Sequence, residues 1–308
     1  MTQIIIYGAG KRGRSYYGFL KEKKIDNLVA GFCDKKSDEI GALYGKPVFS
    51  FDEAAKLNLP FLIGVGPDFF DEIRDLLVKN KMVYYESISD FCRRHLPMSS
   101  TEVNRDYCAY YHLEDMDDYF ERADSDDRLS FFWDNTPCHK LFSCMNPQNI
   151  VELACGRGRH VHRYLPLADH VTLVDVLEKN IEICKKKFKD FSNITYYKNN
   201  GRDFSELPNN AYTALFTYDA MVHFELLDIA QYLQETYRIL VDGGMALFHH
   251  SNNSSDYKAS FENAPHGRSF MSKDIFAYLA HRAGLKILKQ TVVDWGIPAL
   301  DCLTLVSK

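Results

Sequence analysis

NIVELACGRGRHVHRYL, residues 149–165, decides how the second half of this chain is built. Ile150 and Val151 read as the end of a buried strand. They meet an acid, Glu152. A turn of small residues follows, Ala154, Cys155, Gly156 and Gly158, and then a segment expected to be helical over 158–165. Strand–turn–helix joints of this kind hold nucleotide-like ligands, because the helix start presents unpaired N–H groups and glycine lets a ligand come close to the backbone. The carboxylate at the head of the turn needs an explanation, since it would repel a phosphate.

Working outward from that turn, strand and helix alternate to the end of the chain. HVTLVD, ITYYKN, YTALFTYD and GGMALFHHS read as strands. LEKNIEICKKKFKDF and SKDIFAYLAHRAGL read as helices, and the apolar positions of ELLDIAQYLQETYRIL fall on one helical face. KILKQTVVDWG and DCLTLVSK are two strands with no helix between them, which is most simply an antiparallel pair.

The N-terminal part repeats the alternation. QIIIYG, LVAGFCD, FLIGVG and MVYYESI are apolar enough for strands, with helices expected over GKRGRSYYGFLKEKK and PDFFDEIRDLLVKN. Such alternation implies a parallel sheet covered by helices. Between the two lies an aromatic and acidic stretch without strand pattern, read as a helical bridge. The expected organisation is therefore α/β with two Rossmann-like domains, 1–95 and 136–308, joined by a bridge over 96–135.

At 308 residues the chain can bury two cores. Its net charge of −5 gives no reason to expect nucleic acid, whose binders usually show a basic face. The basic run CKKKFK, 184–189, reads as a solvated helix face. The eight cysteines form no Cys-x-x-Cys pair and no metal spacing, so free thiols in a reducing compartment and no metal are expected. No stretch reaches the roughly 18 apolar residues of a membrane span. MTQIIIYGAG is a strand entering a glycine turn rather than a leader, and a cytoplasmic location is expected.

Two glycine turns carry opposite electrostatics. In the first, Gly8, Gly10 and Gly13 follow a strand and open a helix, Lys11 and Arg12 lie inside the turn, and Asp34 ends the next strand. That arrangement suits a phosphate or pyrophosphate, with Asp34 available to a ribose hydroxyl. A tight turn serving helix–strand packing alone is the alternative. The second turn is headed by Glu152, which would attract a ligand carrying an ammonium and a sulfonium, such as S-adenosylmethionine. Asp175 closes the following strand, where an acid can accept from both ribose hydroxyls. In NNGRDF, Asp203 is placed to accept from an adenine amino group and Phe204 to lie against its ring.

Together VELACGRGRH, VTLVDV, NNGRDF, YTALFTYDAMVHF and LVDGGMALFHHSN resemble the ordered motifs of class I S-adenosylmethionine-dependent methyltransferases, over about residues 130–308. The resemblance implies a seven-stranded sheet with an antiparallel last strand. It also implies S-adenosylmethionine as cofactor, held by Glu152, Ala154, Cys155, Gly156, Gly158, Asp175, Val176, Asp203, Phe204 and Tyr218. Ala154 stands where the family usually has its first glycine. More loosely, GFCDKK and GKPVFSFDEA resemble the nucleotide-sugar-binding domains of sugar-modifying enzymes.

Methyl transfer to a hydroxyl is helped by a base near the donor methyl. Asp219 and His223 qualify, and so does the pair His249–His250, lying just beyond the fourth and fifth strands of the second half. His249 and His250 alternate across a strand, and His250 is expected to face the site. In the long loop 254–272, Tyr257, His266 and Arg268 could meet an anionic or sugar-like substrate. Phe132 and Trp133 could close over the donor. The expected reaction is methylation of a small polar acceptor, a hydroxyl of a sugar or nucleotide-linked sugar. A nucleotide-dependent oxidoreductase and a non-catalytic S-adenosylmethionine sensor are the rivals. Small-molecule substrates are expected as partners, with no nucleic acid and no membrane. A homodimer is compatible with all of this.

Overall fold

The computed structural model describes residues 3–114, 117–123, 125 and 133–308. The chain forms two compact units, Met1–Tyr111 and His112–Lys308.

In the first unit β1 (Ile4–Tyr7), β2 (Val29–Cys33), β3 (Ala42–Leu43), β4 (Lys46–Phe49), β5 (Phe61–Ile63) and β6 (Tyr84–Tyr85) form one sheet of order β3-β4-β2-β1-β5-β6. All pairs are parallel except β3–β4. That small hairpin was not apparent in the sequence. Its strands have two and four residues, too few for a period-2 pattern, and Tyr44 and Gly45 turn it at positive φ, 53° and 73°.

The chain leaves β1 towards β2 on one side, while β5 lies on the other. The glycine turn therefore sits where the winding reverses, the usual ligand crevice of open α/β sheets. Two of its glycines are fixed by packing. A Cβ on Gly13 would lie 1.9 Å from Gly8 O, and one on Gly8, at φ +112°, would lie 2.6 Å from Gly64 O. Gly10, which precedes the helix Lys11–Glu22, has nothing within 4 Å of a Cβ position.

In the second unit β7 (Asn149–Leu153), β8 (His170–Asp175), β9 (Ile194–Lys198), β10 (Tyr212–Thr217), β11 (Leu240–Ser251), β12 (Lys286–Val293) and β13 (Asp301–Ser307) form a sheet of order β12-β13-β11-β10-β7-β8-β9. β7, β8, β9, β10 and β11 pair parallel, and β13 runs antiparallel to both β11 and β12, as expected. Successive residues of β7 enter different cores: Ile150 packs with Trp133, Phe142 and Phe216, and Val151 with Phe204, Ile229 and Phe248. A strand covered on both faces needs apolar residues throughout, which is why it reads as a run rather than an alternation.

The helix expected over 158–165 is only the single turn Val161–Tyr164. A 3₁₀ turn, Leu165–Leu167, replaces its continuation at Pro166, whose ring and missing N–H oppose an α-helix interior. The helices Leu226–Ile239 and Lys273–Arg282 both pack on the core that holds Phe248. All eight cysteines are free thiols.

Candidate active site

The glycine turn of the second unit leaves β7 through three left-handed residues, Ala154 (φ 54°), Gly156 (φ 55°) and Gly158 (φ 71°). Ala154 adopts there a conformation that carries a steric penalty for any side chain. Gly158 has no room for one, since its Cβ would lie 2.5 Å from the Phe188 ring. On the other side of the turn, Phe120 of the helix Asp117–Ala123 rests 3.1 Å from the Cβ position of Gly156.

Glu152 does not face outward as its expected role requires. It is buried at the end of β7, Tyr164 donates its phenolic O–H to it, and His160 Nδ1 lies 3.7 Å away. Burial pushes its carboxyl up to about 7, against the opposing effects of Tyr164 and Arg159, so its negative charge is weakened rather than presented to a ligand. The electrostatic explanation of this residue is corrected accordingly: Glu152 braces the turn from inside.

Asp175 closes β8 and is tied to the same turn. It accepts from Gly156 N–H at 2.9 Å, from Leu177 N–H at 2.8 Å and from Asn180 Nδ2 at 3.2 Å. Burial raises its carboxyl to about 6, although these donors favour the charged form. Val176 beside it is half-buried. In the loop after β9, Asp203 accepts from Asn200 Nδ2 and Ser205 N–H. Phe204 is wholly buried against Tyr232 and cannot lie on a ligand ring, a second correction; its apolar ring goes to the core because the following turn is packed under the helix Leu226–Ile239.

Beyond β10 lies a buried network that joins distant parts of the sequence. Asp219, itself left-handed at φ 57°, accepts from Tyr119 O–H at 2.6 Å and from Arg159 at 3.2 Å. Burial pushes its carboxyl up, but Arg159, Tyr119 and Arg268 outweigh it and hold it below the usual range. The Asp219 N–H donates to His249 Nδ1 at 3.0 Å. His249 Nε2 lies 3.2 Å from Asp301 Oδ2, and Asp301 receives both Nε and Nη2 of Arg268, at 3.0 and 2.7 Å. Tyr218 stacks on His249, and the half-buried Trp295 lies against Tyr218, His249 and the Arg268 guanidinium.

His250 is the reverse of what was expected. It shares a face of β11 with Phe248, stacks on Phe276 with ring centroids 4.0 Å apart, and bonds Thr304 and the Ser251 carbonyl. Burial, the largest influence, lowers its pKa to about 3. The helix Lys273–Arg282 covers that face, so His249 is the histidine turned towards Asp219. Asp219, His223 and His250 are thus not brought together, and no group of His, Cys, Asp and Glu among the described residues could hold a metal ion.

His223 follows Asp219 in a 3₁₀ turn, Met221–His223. Its Nδ1 donates to Gly267 O at 2.9 Å, which fixes the tautomer and leaves Nε2 as an acceptor. Burial, with His112 and Arg268 adding to it, pushes its pKa down to about 3. In the loop 254–272, Tyr257 is 79% exposed and His266 is exposed, whereas Arg268 is buried and directed to Asp301 and the His266 carbonyl. Arg268 therefore fastens the loop to β13 instead of waiting for substrate. Trp133 belongs to the core, and Phe132 lies outside the described residues. Tyr119, Arg159, Trp295 and Asp301 were not singled out from the sequence, and of the pair His249–His250 the wrong member was expected to face the site, since strand order and register bring these groups together. The one available signal was the alternation at 249–250.

In the first unit, Asp34 accepts from Ala9 N–H at 2.8 Å and Lys36 N–H at 3.0 Å, and so shapes the turn. Arg12 donates to the Val65 carbonyl at 3.1 Å, and Lys11 lies 5.0 Å from the Tyr111 ring centre.

A family model described as "Methyltransferase domain" matches residues 150–244, from β7 into β11. The second unit is a class I S-adenosylmethionine-dependent methyltransferase. Among solved structures, this methyltransferase unit is similar to an S-adenosylmethionine-dependent methyltransferase from Mesorhizobium loti, at 17% identity and a TM-score of 0.45, over 55% of this chain and 96% of that one. It is also similar to one from Aquifex aeolicus, at 14% identity and a TM-score of 0.48, over 61% of this chain and 96% of that one. No curated protein matches the chain. S-adenosylmethionine is the cofactor of the methyltransferase unit. The residues fit it: Asp175 at the end of β8 and Asp203 in the loop after β9 lie beyond neighbouring strands, beside a left-handed turn, braced from inside by Glu152, in which Gly158 admits no side chain.

Proposed function

We propose that the methyltransferase unit methylates a hydroxyl of a small polar acceptor, a sugar or nucleotide-linked sugar, and that His223 takes the hydroxyl proton. The turn 154–158, Asp175, Val176 and Asp203 would hold the cofactor, which supplies an electrophilic methyl group on a sulfonium. The remaining work is positioning and proton handling. The observation that carries the reading is the bond from His223 Nδ1 to Gly267 O. It orients the ring and leaves the Nε2 lone pair as the proton acceptor, while burial, against the pull of that carbonyl, keeps the ring uncharged.

Asp219 is less suited to that role, because Tyr119 and Arg159 already engage its carboxylate and hold it ionised. The half-buried Trp295 supports a sugar acceptor: an indole held by Arg268 and Tyr218 offers an apolar face beside polar groups. Methyl transfer from labelled cofactor to a panel of sugars and nucleotide-linked sugars tests this. His223→Ala should lower the rate by about 10²–10⁴-fold with S-adenosylhomocysteine affinity nearly unchanged. Cofactor binding without transfer to any panel member would favour a binding-only sensor.

The first unit supports a nucleotide-linked acceptor in its own way. Packing accounts for Gly8 and Gly13 but not for Gly10, whose open surroundings leave space for a phosphate beside the turn. Titration of the full chain with nucleotides and nucleotide-sugars should give binding that Gly10→Val abolishes while cofactor binding persists. Silence across the panel would return the glycines to packing alone. No described helix is long and apolar enough to cross a membrane.

A further inference from the structure

We infer that His249 is a positioning residue of the methyltransferase unit: with Asp301 behind it, it holds Asp219 in the left-handed conformation that anchors Arg159 of the glycine turn. The inference rests on the reading of that turn as the cofactor site.

The argument begins with register. β11 and β13 are antiparallel, and His249 is paired with Leu303. Paired residues share a face, and so do residues two apart on one strand, so Asp301 is placed on the same face as His249. The first residue of β13 thereby delivers a carboxylate to Nε2 at 3.2 Å. Arg268 clamps that carboxylate with two bonds, which fixes it in place.

The other ring nitrogen decides the protonation. Nδ1 accepts the Asp219 N–H, so it carries no proton, and the neutral ring carries its proton on Nε2, on the side of Asp301. Asp301 lies 3.2 Å from that nitrogen and favours the tautomer by its charge, without completing a hydrogen bond to it. The tautomer in turn presents a lone pair to the Asp219 N–H. Asp219 needs that support, because a non-glycine residue at φ 57° is intrinsically disfavoured and persists only where its surroundings hold it.

The conformation has a consequence at the turn. It directs the Asp219 carboxylate to Arg159 Nη2 at 3.2 Å and to Tyr119 O–H at 2.6 Å. Arg159 directly follows Gly158. A chain of contacts thus runs from β13 through His249 and Asp219 to the residues around the cofactor, and none of these groups needs to touch the reacting atoms.

Two variants and one spectrum test it. His249→Leu removes the acceptor and leaves the Asp219 N–H buried and unpaired. In His249→Asn the amide oxygen falls near the place of Nδ1 and can accept the same N–H. Calorimetry with S-adenosylhomocysteine on the full chain should show affinity lowered by roughly 10-fold or more in the leucine variant, and restored to within about 3-fold of wild type in the asparagine variant. Nitrogen-15 spectra of the wild-type histidines at neutral pH should place the proton of His249 on Nε2.

Unchanged affinity in His249→Leu overturns the inference, as does equal loss in both variants or a proton on Nδ1. Should the leucine variant not fold, the asparagine variant and the wild-type spectrum still decide. Wild-type protein that binds no S-adenosylhomocysteine overturns the cofactor reading itself, whereas wild-type binding with an indifferent His249→Leu overturns this inference alone.

Discussion

Tyr164 donates its phenolic O–H to Glu152 inside the head of the glycine turn, so the acid that marks this turn in the sequence is spent on the protein's own interior. The bond and the burial act against each other: burial drives the carboxyl up to about 7, while the tyrosine favours the ionised form.

The first prediction follows from that opposition. Glu152 ionises near pH 4.3 in an unfolded chain but only near 7 in the folded one, so between these values the native state binds the extra proton. Its contribution is present at low pH and is lost as pH rises through 7. Glu152→Gln removes the loss. Urea unfolding at pH 5 and pH 8 should show the variant gaining on wild type by on the order of 2–3 kcal/mol at the higher pH. A constant difference at both values would mean that Glu152 is not held neutral by burial.

Asp175 braces the turn from the neighbouring strand through Gly156 N–H. Asp175→Ala should weaken S-adenosylhomocysteine by roughly 1–3 kcal/mol, through lost hydrogen bonds and a loosened turn. Calorimetry measures it, and affinity equal to wild type would remove Asp175 from the cofactor site.

His223 gives a pH profile unlike that of an exposed histidine. With its pKa pushed down to about 3, it stays uncharged throughout the range in which a free imidazole would titrate, near 6.5. The acidic limb of kcat/KM should therefore fall well below pH 6.5, with no inflection there. A limb centred on 6.5 that disappears in His223→Gln would show an ordinary, solvated histidine instead.

Arg268 and Asp301 form a doubly bonded buried pair, one partner 3% and the other 0% exposed. Removing one partner strands the other charge. Arg268→Met should cost about 3–5 kcal/mol in denaturant unfolding, and adding Asp301→Leu should recover much of it. The single variant should also make the loop 254–272 more susceptible to protease, because Arg268 ties its own segment to β13. Full stability of Arg268→Met would show the pair to be incidental.

The sequence by itself determined the longer strands and the two turns, though not the short hairpin β3–β4 or the early end of the helix after the second turn. An apolar run closed by an acid and small residues is a local signal, since strand burial and left-handed turns depend on neighbours only a few residues away. The antiparallel end of the sheet was legible for the same reason: two strands separated by a short loop can hardly be parallel. The pair at 249–250 marks the limit. Alternation states that the two histidines face opposite ways, but the covering helix Lys273–Arg282 gives His250 to Phe276, and the register of β13 brings Asp301 to His249. The network of Arg159, Asp219, Arg268 and Asp301 is likewise a product of the folded sheet. Charges that meet only through strand order and register leave no spacing in the chain, so only the tertiary structure decided which side chains share the site and which lie buried behind it.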